Sequence, residues 1–218
     1  MIFINQTIYN AMKRNKRAIF IIVSSICLVV YNEAQGQSYN SGLQLAFVYP
    51  RLNGNDIEKT GQSSIGFNLG VYVNSSYKNI FLEPQLFYKM RRYHEVISPY
   101  IPSYADHSFD LHYLTFGVLC GSYVLSYNDI GLYGGLGPYI GLLLNSVDID
   151  HDYYSDNDFK PYEVGGIIEI GIDLAKVFSV VPLKLSFRYE QDFWGIYDLG
   201  YSPDIKKRSY DFVLKILY

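Results

Sequence analysis

The feature that most restricts the fold of this chain is a two-residue alternation of apolar and polar side chains, repeated along most of its length. After residue 37 there is no long helical periodicity and no apolar run of about 18 residues, as a membrane-spanning helix would need. A period of two is the repeat of a β-strand whose two faces meet different surroundings. The alternation predicts an all-β fold of eight strands, at residues 40–49, 63–74, 80–90, 110–121, 130–144, 164–173, 183–193 and 210–218.

The charged residues of the clear strands all lie on one face of each strand. In the cleanest segment, 183–193, Leu185 and Phe187 alternate with lysine, serine, arginine and glutamate. The ionisable residues on these polar faces are Glu83, Lys89, Glu169, Lys184, Arg188, Glu190 and Lys215. A soluble barrel would bury the apolar face, whereas a membrane barrel turns it to lipid and encloses the polar face. Alternation alone leaves both open, including a soluble ligand-carrying barrel.

The spacing of the strands favours the membrane barrel. Long gaps at residues 50–62, 91–109, 145–161 and 194–208 alternate with short ones at 75–79, 122–129 and 174–182. Outer-membrane barrels have an even number of antiparallel strands, short periplasmic turns and longer outer loops. The sequence therefore predicts a single antiparallel up-and-down transmembrane β-barrel in the bacterial outer membrane. Pro84 and Pro138 each remove a backbone donor from the ladder, and we expect local bulges there.

The N-terminal segment has the pattern of an export signal. A basic cluster at residues 13–17 precedes the apolar run Ala18–Val30, which is too short to cross a bilayer of roughly 30 Å as a helix. Small residues at Ala34 and Gly36 predict a signal peptide over residues 1–36, cleaved before Gln37. Translation starts at Met1 or at Met12, and an uncleaved N-terminal anchor is the alternative to cleavage.

Residues 37–218 are predicted to form one barrel domain. They contain 14 Lys and Arg residues against 20 Asp and Glu residues, a net charge of −6, with no basic stripe of the kind that binds nucleic acid. Cys120 is their single cysteine, so an intramolecular disulfide is impossible. No phosphate-binding glycine loop is present, because the glycines of residues 131–141 lie within a strand pattern, and no cofactor is predicted.

Three short stretches resemble a known family. Phe81–Tyr88, Gly134–Gly141 and Phe187–Glu190 are similar to segments of the PorT-like outer-membrane β-barrel proteins of the Bacteroidota. The likeness extends over most of the part after residue 37 and implies fold and location. The last strand, with Phe212, Leu214, Ile216 and the terminal aromatic Tyr218, is similar to the signal read by the barrel-assembly machinery. The resemblance thus implies that machinery and outer-membrane lipid as partners.

The charged inner residues suggest a structural role. An eight-stranded barrel has an interior that side chains alone can fill, so an ionic network plugging the lumen is favoured over a conducting pore. In the outer loops, Asp148, Asp150 and Asp152 alternate as the first ligands of a calcium loop do. Tyr153 and Phe159 stand where such a loop requires glycine and glutamate, so we interpret this run as a solvated acidic loop, with cation bridging as the alternative.

Two functional hypotheses follow. The first is a non-enzymatic barrel whose long loops contact an envelope protein or a surface ligand through aromatic residues, namely Tyr93, Tyr100, Tyr104, Tyr153 and Tyr154. The second is a lipid-directed hydrolase or acyltransferase using His107, Ser108 and His112 near the outer rim. The basic start of the second long gap, Arg91 and Arg92, could also meet lipid phosphate. A role as accessory of a secretion machine remains a further alternative.

Overall fold

Eight strands, one for each alternating segment, make up nearly all of the described chain. The computed structural model describes residues 38–53, 65–96, 106–127, 130–149, 159–174, 182–195 and 206–217. The strands are β1 Ser38–Asn53, β2 Gly66–Tyr77, β3 Ile80–Val96, β4 Asp106–Tyr127, β5 Ile130–Asp148, β6 Tyr162–Asp173, β7 Leu183–Gly195 and β8 Lys206–Leu217. The predicted signal peptide, 1–36, and its cleavage site before Gln37 lie outside the described residues. Within these ranges no helix has the length and apolarity needed to cross a membrane.

The strands form one closed antiparallel barrel. Each strand pairs with its neighbours in chain order, and β8 pairs with β1 to close the sheet. Closure matters because an open sheet edge would expose unpaired N–H and C=O groups, for which a lipid bilayer offers no partner. The predicted all-β, eight-stranded, up-and-down architecture is confirmed.

The two faces of the sheet divide as a membrane barrel requires. Apolar side chains point outward, as Leu185 and Phe212 do with 47% and 71% of their surface exposed, while Arg188 and Lys215 are fully buried inside. In a soluble barrel the apolar side chains would meet in the centre. The alternative of a soluble ligand carrier is therefore wrong.

Most strands extend beyond the predicted segments, mainly toward the side of the long connections. Arg91 and Arg92, predicted to begin a loop, lie inside β3, and residues 206–208 lie inside β8. The connection 174–182 was predicted to be short but equals 97–105 in length, whereas β2–β3 and β4–β5 are joined by two residues each, 78–79 and 128–129. We call the end of the barrel with these two turns the turn side and the opposite end the loop side.

The bulges expected at Pro84 and Pro138 are absent from the described ladders. Pro84 stays in register with Val118 of β4, and Pro138 with Gly166 of β6. Toward β2 for Pro84 and toward β4 for Pro138, two residue pairs are missing from the ladder, and the register is the same before and after the gap. The missing N–H of each proline therefore interrupts the pairing locally and does not shift the strands. The register shifts lie at residues 112/113, 123/125 and 191/195 instead.

Candidate functional site

The lumen holds the principal concentration of charged side chains among the described residues. All seven residues predicted for the inner face lie there, each buried to at least nine-tenths of its surface. They do not form a single group. Four lie together toward the turn side, two belong to a second cluster toward the loop side, and Lys184 lies apart near the turn-side end.

The turn-side cluster consists of Glu83, Glu169, Arg188 and Lys215. The Nζ of Lys215 lies 2.5 Å from Oε1 of Glu83 and 2.6 Å from Oε1 of Glu169. Arg188 donates from Nε and Nη2 to Oε2 of Glu169, at 2.9 Å and 2.7 Å, and from Nη2 to Gln85 at 2.8 Å. These contacts connect β8 and β7 to β3 and β6. The cluster therefore ties opposite walls of the barrel together through its centre.

Neutral donors complete the turn-side cluster. Asn74 and Gln85 donate to the carboxylate of Glu83, at 3.0 Å and 2.7 Å. Tyr133 and Ser186 donate to Oε1 of Glu169, at 3.1 Å and 3.0 Å. The desolvation of a buried carboxylate is costly, and these donors offset part of that cost.

The loop-side cluster is larger, and most of it was missed from the sequence. Its members are Lys89, Arg91, Glu163, Glu190, Asp192, Lys207 and Asp211. Lys89 lies 2.9 Å from Glu163 and 2.8 Å from Glu190, while Lys207 lies 3.0 Å from both Glu163 and Asp192. Oε1 of Glu190 also lies 3.7 Å from Nη1 of Arg188, which belongs to the turn-side cluster. This contact links the two clusters, and we call them together the charged column.

Arg91, predicted to be a loop residue that meets lipid phosphate, belongs to this buried cluster. Its Nη2 lies 3.3 Å from Glu190 and 3.6 Å from Asp211, and its Nη1 donates to Asn68. The alternation of β3 explains its position, because residue 91 has the same parity as Lys89 and therefore the same inward direction.

Aromatic rings surround the cations of the loop-side cluster. The Nζ of Lys89 lies 3.9 Å from the centre of the Tyr139 ring, and that of Lys207 lies 4.1 Å from the centre of the Tyr113 ring. The Tyr139 hydroxyl donates to Asp192, and Lys207 donates to the Tyr113 hydroxyl at 2.9 Å. These phenol rings both fill space and stabilise desolvated cations.

An apolar cluster closes the lumen above the charges. Its buried members, on the loop side, are Tyr93, Phe109, Leu111, Tyr113, Leu143 and Phe159. The rings of Phe109 and Phe159 are 5.1 Å apart. Tyr93 is therefore a lumen residue and not, as predicted, a loop residue available to a partner. Tyr100, Tyr104, Tyr153 and Tyr154 lie outside the described residues.

The space left between these groups is small. One cavity beside Lys89, Glu190 and Lys207 has about 10 Å³ of room, close to what one water molecule needs.

Near the turn-side end, Lys184 lies 3.3 Å from Asp173, and the Tyr123 hydroxyl donates to Asp173 at 2.8 Å. In the described lumen six cations face seven carboxylates, so nearly every charge has an opposite partner.

The histidine hypothesis gains no support from the positions of these side chains. His112 lies on the outer face of β4, where its Nδ1 is hydrogen-bonded to the hydroxyl of Tyr88 rather than to a serine. The side chain of His107 lies outside the described residues. No group of three His, Cys, Asp or Glu side chains is arranged to hold a metal ion in the part of the chain that the structure describes.

The described residues cover the two remaining predicted sites, the acidic loop and the assembly signal, only in part. The side chain of Asp148 and the whole of Asp150 and Asp152 lie outside the described residues, so cation bridging stays an expectation. In the predicted assembly signal, Phe212, Leu214 and Ile216 lie on the outward face of β8. Tyr218 lies outside the described residues.

Sequence continuity could have revealed the missed charges. Asp173 and Asp211 already stand on the polar face of their predicted segments, opposite Ile172 and Phe212. Asp192 likewise lies on the polar face of the predicted segment 183–193. Extending the alternation outward by a few residues brings in the others, which are Arg91, Glu163 and Lys207. They were left out because the predicted segments ended near the length that crosses the hydrocarbon layer.

The barrel fold resembles that of a solved structure at a TM-score above 0.5. Among solved structures, Neisserial surface protein A is 13% identical, with a TM-score of 0.52 over 84% of this chain and 100% of that one. Ail, the attachment invasion locus protein of Yersinia pestis, is 14% identical, with a TM-score of 0.46 over 83% of this chain and 99% of that one. No curated protein sequence matches significantly.

The fold, the outward apolar face and the enclosed charges locate the protein in the bacterial outer membrane. A family profile described as the outer membrane protein beta-barrel domain matches residues 34–198, more than half of the chain. The chain therefore belongs to the outer membrane protein beta-barrel domain family.

Proposed function

We propose that this barrel is a non-enzymatic, non-conducting membrane scaffold that presents its long connections to an envelope protein or a surface ligand. The observation that carries the proposal is the bonding across the lumen. Lys215 of β8 contacts Glu83 of β3, and Lys89 of β3 contacts Glu163 of β6. A barrel of eight strands has room for side chains but little more.

Two features support the absence of a conduction path. The charged column is closed toward the loop side by the apolar cluster around Phe109, which offers no ligands to a passing ion. Each cation and carboxylate of the column has an oppositely charged neighbour no farther than 3.6 Å, so an ion entering would compete with a buried partner. Conduction would therefore require the wall-to-wall contacts to break.

Recording of the purified barrel in planar lipid bilayers tests this part. We expect no discrete conductance steps under conditions in which a porin inserted in the same bilayer conducts. Steps that change in size when Lys89 or Glu163 is neutralised would show that ions pass through the charged column, and the scaffold proposal would be wrong.

The second part concerns partners. The connections on the loop side are 54–65, 97–105, 149–161 and 196–205, and they lie at one end because the strands alternate in direction. Three of these four are longer than any turn-side connection, and such grouping at one end is typical of barrels that use their loops for recognition. We propose 97–105 and 149–161 as the main contact segments.

Affinity capture from detergent-solubilised outer membranes tests this assignment. Replacing 97–105 or 150–158, which leaves the buried Phe159 in place, by a Gly-Ser linker of equal length should abolish capture of a partner that the unchanged protein retains. The matched control replaces 174–182 at the turn side and should leave capture unchanged. A partner retained after both loop-side replacements would refute the assignment.

The narrower relationship to PorT-like proteins of the Bacteroidota is part of the proposal. It is supported by the family match together with Phe81–Tyr88, Gly134–Gly141 and Phe187–Glu190, which belong to β3, β5 and β7. Components of a secretion machine among the captured partners would favour an accessory role. Capture of unrelated envelope proteins only would argue against it.

A further inference from the structure

On the outer face of the seam between β1 and β8, the paired residues change from aliphatic to aromatic to basic from the turn side to the loop side. Paired residues on this face follow the order Leu45–Leu214, Phe47–Phe212, Tyr49–Tyr210 and Arg51–Arg208, and the next pair in register is Asn53–Lys206. We call these five rungs the seam column. Its aliphatic and aromatic rungs match the lipid-facing band and its aromatic girdle, which marks the depth of the headgroups.

The arginine rung has an unusual composition. Arg51 and Arg208 stand directly opposite each other, and like charges in that position destabilise a sheet. The rungs on either side carry two tyrosines or an asparagine and a lysine, none of them acidic. On its other side Arg208 is in register with Gln191 of β7, which is uncharged. Among the described rungs, no acidic side chain therefore lies next to this pair of arginines.

The two guanidinium groups are also positioned for an anion. Arg51 is exposed and held over the Tyr49 ring, with its Cζ 5.1 Å from the ring centre. The Nε of Arg208 is buried and has no hydrogen-bond partner within the described ranges. A buried guanidinium nitrogen without an acceptor is costly, so Arg208 gains a bond if its side chain turns outward to a phosphate oxygen at this rung.

Another arginine at the loop side shows that this arrangement is not general. Arg92, also outward, makes two hydrogen bonds of 2.8 Å to the carboxylate of Asp110. Its charge is therefore neutralised within the protein. The sequence expectation that Arg91 meets lipid phosphate is wrong, because Arg91 faces the lumen, and for Arg92 it stays a prediction.

An apolar groove lies below the arginine rung on the same outer surface. It has a volume of about 530 Å³ and runs from β5 across β6 and β7 to the seam, where Phe47, Phe212 and Leu214 line it. Phe47 and Phe212 expose 66% and 71% of their surface, as expected of side chains that meet acyl chains. Arg51 lies two residues closer to the loop side than Tyr49, which is about 7 Å along the strand at the usual rise per residue.

We propose that the seam column binds a phosphate-bearing lipid of the outer leaflet. Its phosphate lies between Arg51 and Arg208, its polar linkage lies at Tyr49 and Tyr210, and an acyl chain occupies the groove beside Phe47 and Phe212. The combination of an unneutralised guanidinium pair with an apolar groove beneath it selects an anionic amphiphile over a free anion. Arginine forks bind phosphate in a bidentate manner, which fixes the headgroup as well as attracting it.

Native mass spectrometry of the detergent-purified protein tests the site. The probes are lipid A with its phosphates, the same lipid A after dephosphorylation, and inorganic phosphate. We expect the phosphorylated lipid to bind and the dephosphorylated form to bind at least about tenfold more weakly, since hydrogen bonds to a charged group are lost. Equal binding of both lipid forms would overturn the proposal, and binding of inorganic phosphate as tightly as the lipid would overturn the lipid assignment.

Variants locate the binding. Arg51→Gln combined with Arg208→Gln should weaken binding of phosphorylated lipid A by at least about tenfold, because both charge-assisted contacts are lost. The matched control Arg92→Gln removes an arginine at the same end of the barrel and should leave binding unchanged. Heat-modifiable gel mobility verifies that each variant is folded. Loss of binding in Arg92→Gln alone, or unchanged binding in the double variant, would refute the assignment. The comparison of lipid forms decides the question even if a variant misfolds.

Discussion

Neutralising Glu169 is the sharpest test of the lumen architecture. This carboxylate is fully buried and accepts hydrogen bonds from Arg188, Lys215, Tyr133 and Ser186. Glu169→Gln preserves shape but leaves Arg188 without its nearest carboxylate. Breaking a buried ion pair by removing one partner costs about 3–5 kcal/mol.

The contacts that remain set the expected value within that range. Lys215 retains Glu83 at 2.5 Å, so this cation stays paired. Arg188 retains the uncharged Gln85 at 2.8 Å and the more distant Glu190 at 3.7 Å. One cation is thus left poorly compensated and the other is not, so we expect a loss of about 3 kcal/mol, the lower end of the range.

The assay is reversible urea unfolding of the refolded barrel in phospholipid vesicles, followed by tryptophan fluorescence. Combining Glu169→Gln with Arg188→Met removes the orphaned cation and should recover at least about 1 kcal/mol of the loss, because the uncompensated charge is gone. Ser186→Ala is the matched control. It removes one neutral hydrogen bond to the same carboxylate and should cost about 1 kcal/mol.

Two outcomes would refute the reasoning. A loss in Glu169→Gln no larger than that in Ser186→Ala would mean that the charge of Glu169 contributes little to stability. A double variant less stable than Glu169→Gln would mean that Arg188 does not depend on Glu169 for compensation, and the turn-side cluster would need another explanation.

Three further predictions concern the membrane, export and assembly. Leu185→Arg should destabilise the barrel by about 2–4 kcal/mol in vesicle unfolding, since it places a charge on the lipid face; assembly that tolerates this change but fails with Ser186→Arg would reverse the assignment of the two faces. Mass spectrometry of the protein from outer membranes should find Gln37 as the first residue, whereas residues N-terminal to it would support an uncleaved anchor. Deletion of Tyr218 should lower the amount of heat-modifiable barrel in the outer membrane, and an unchanged amount would remove it from the assembly signal.

The strands could be predicted because their two faces meet such different media. In β7, lipid on one side and ion pairs on the other produce an unambiguous alternation of Leu185 and Phe187 with charged residues. The alternation of β4 is weaker because its inner face is itself apolar where Leu111 and Tyr113 close the lumen. A pattern of polarity identifies a strand only where its two surroundings differ.

The partners within the lumen could not be predicted. Lys215 and Glu83 are joined across the barrel by strands far apart in the chain, and their meeting depends on the stagger with which the sheet closes. Alternation reports only that both point inward. Three members of the loop-side cluster, Arg91, Glu163 and Lys207, were missed for a different reason, because they lie beyond the predicted ends of their strands.

Three arginines show that parity along a strand decides which face of the sheet a side chain occupies, and that register decides which residue lies opposite it. Arg91 and Arg92 are adjacent in sequence, yet parity sends one into the lumen, to Glu190 and Asp211, and the other outward to Asp110. Parity alone would make Arg51 and Arg92 equivalent, since both face outward. Register separates them, because the neighbouring strand places an aspartate opposite Arg92 but a second arginine opposite Arg51. The pairing of β1 with β8 exists only once the sheet has closed, so the positive charge at the seam is a property of the barrel and not of any single strand.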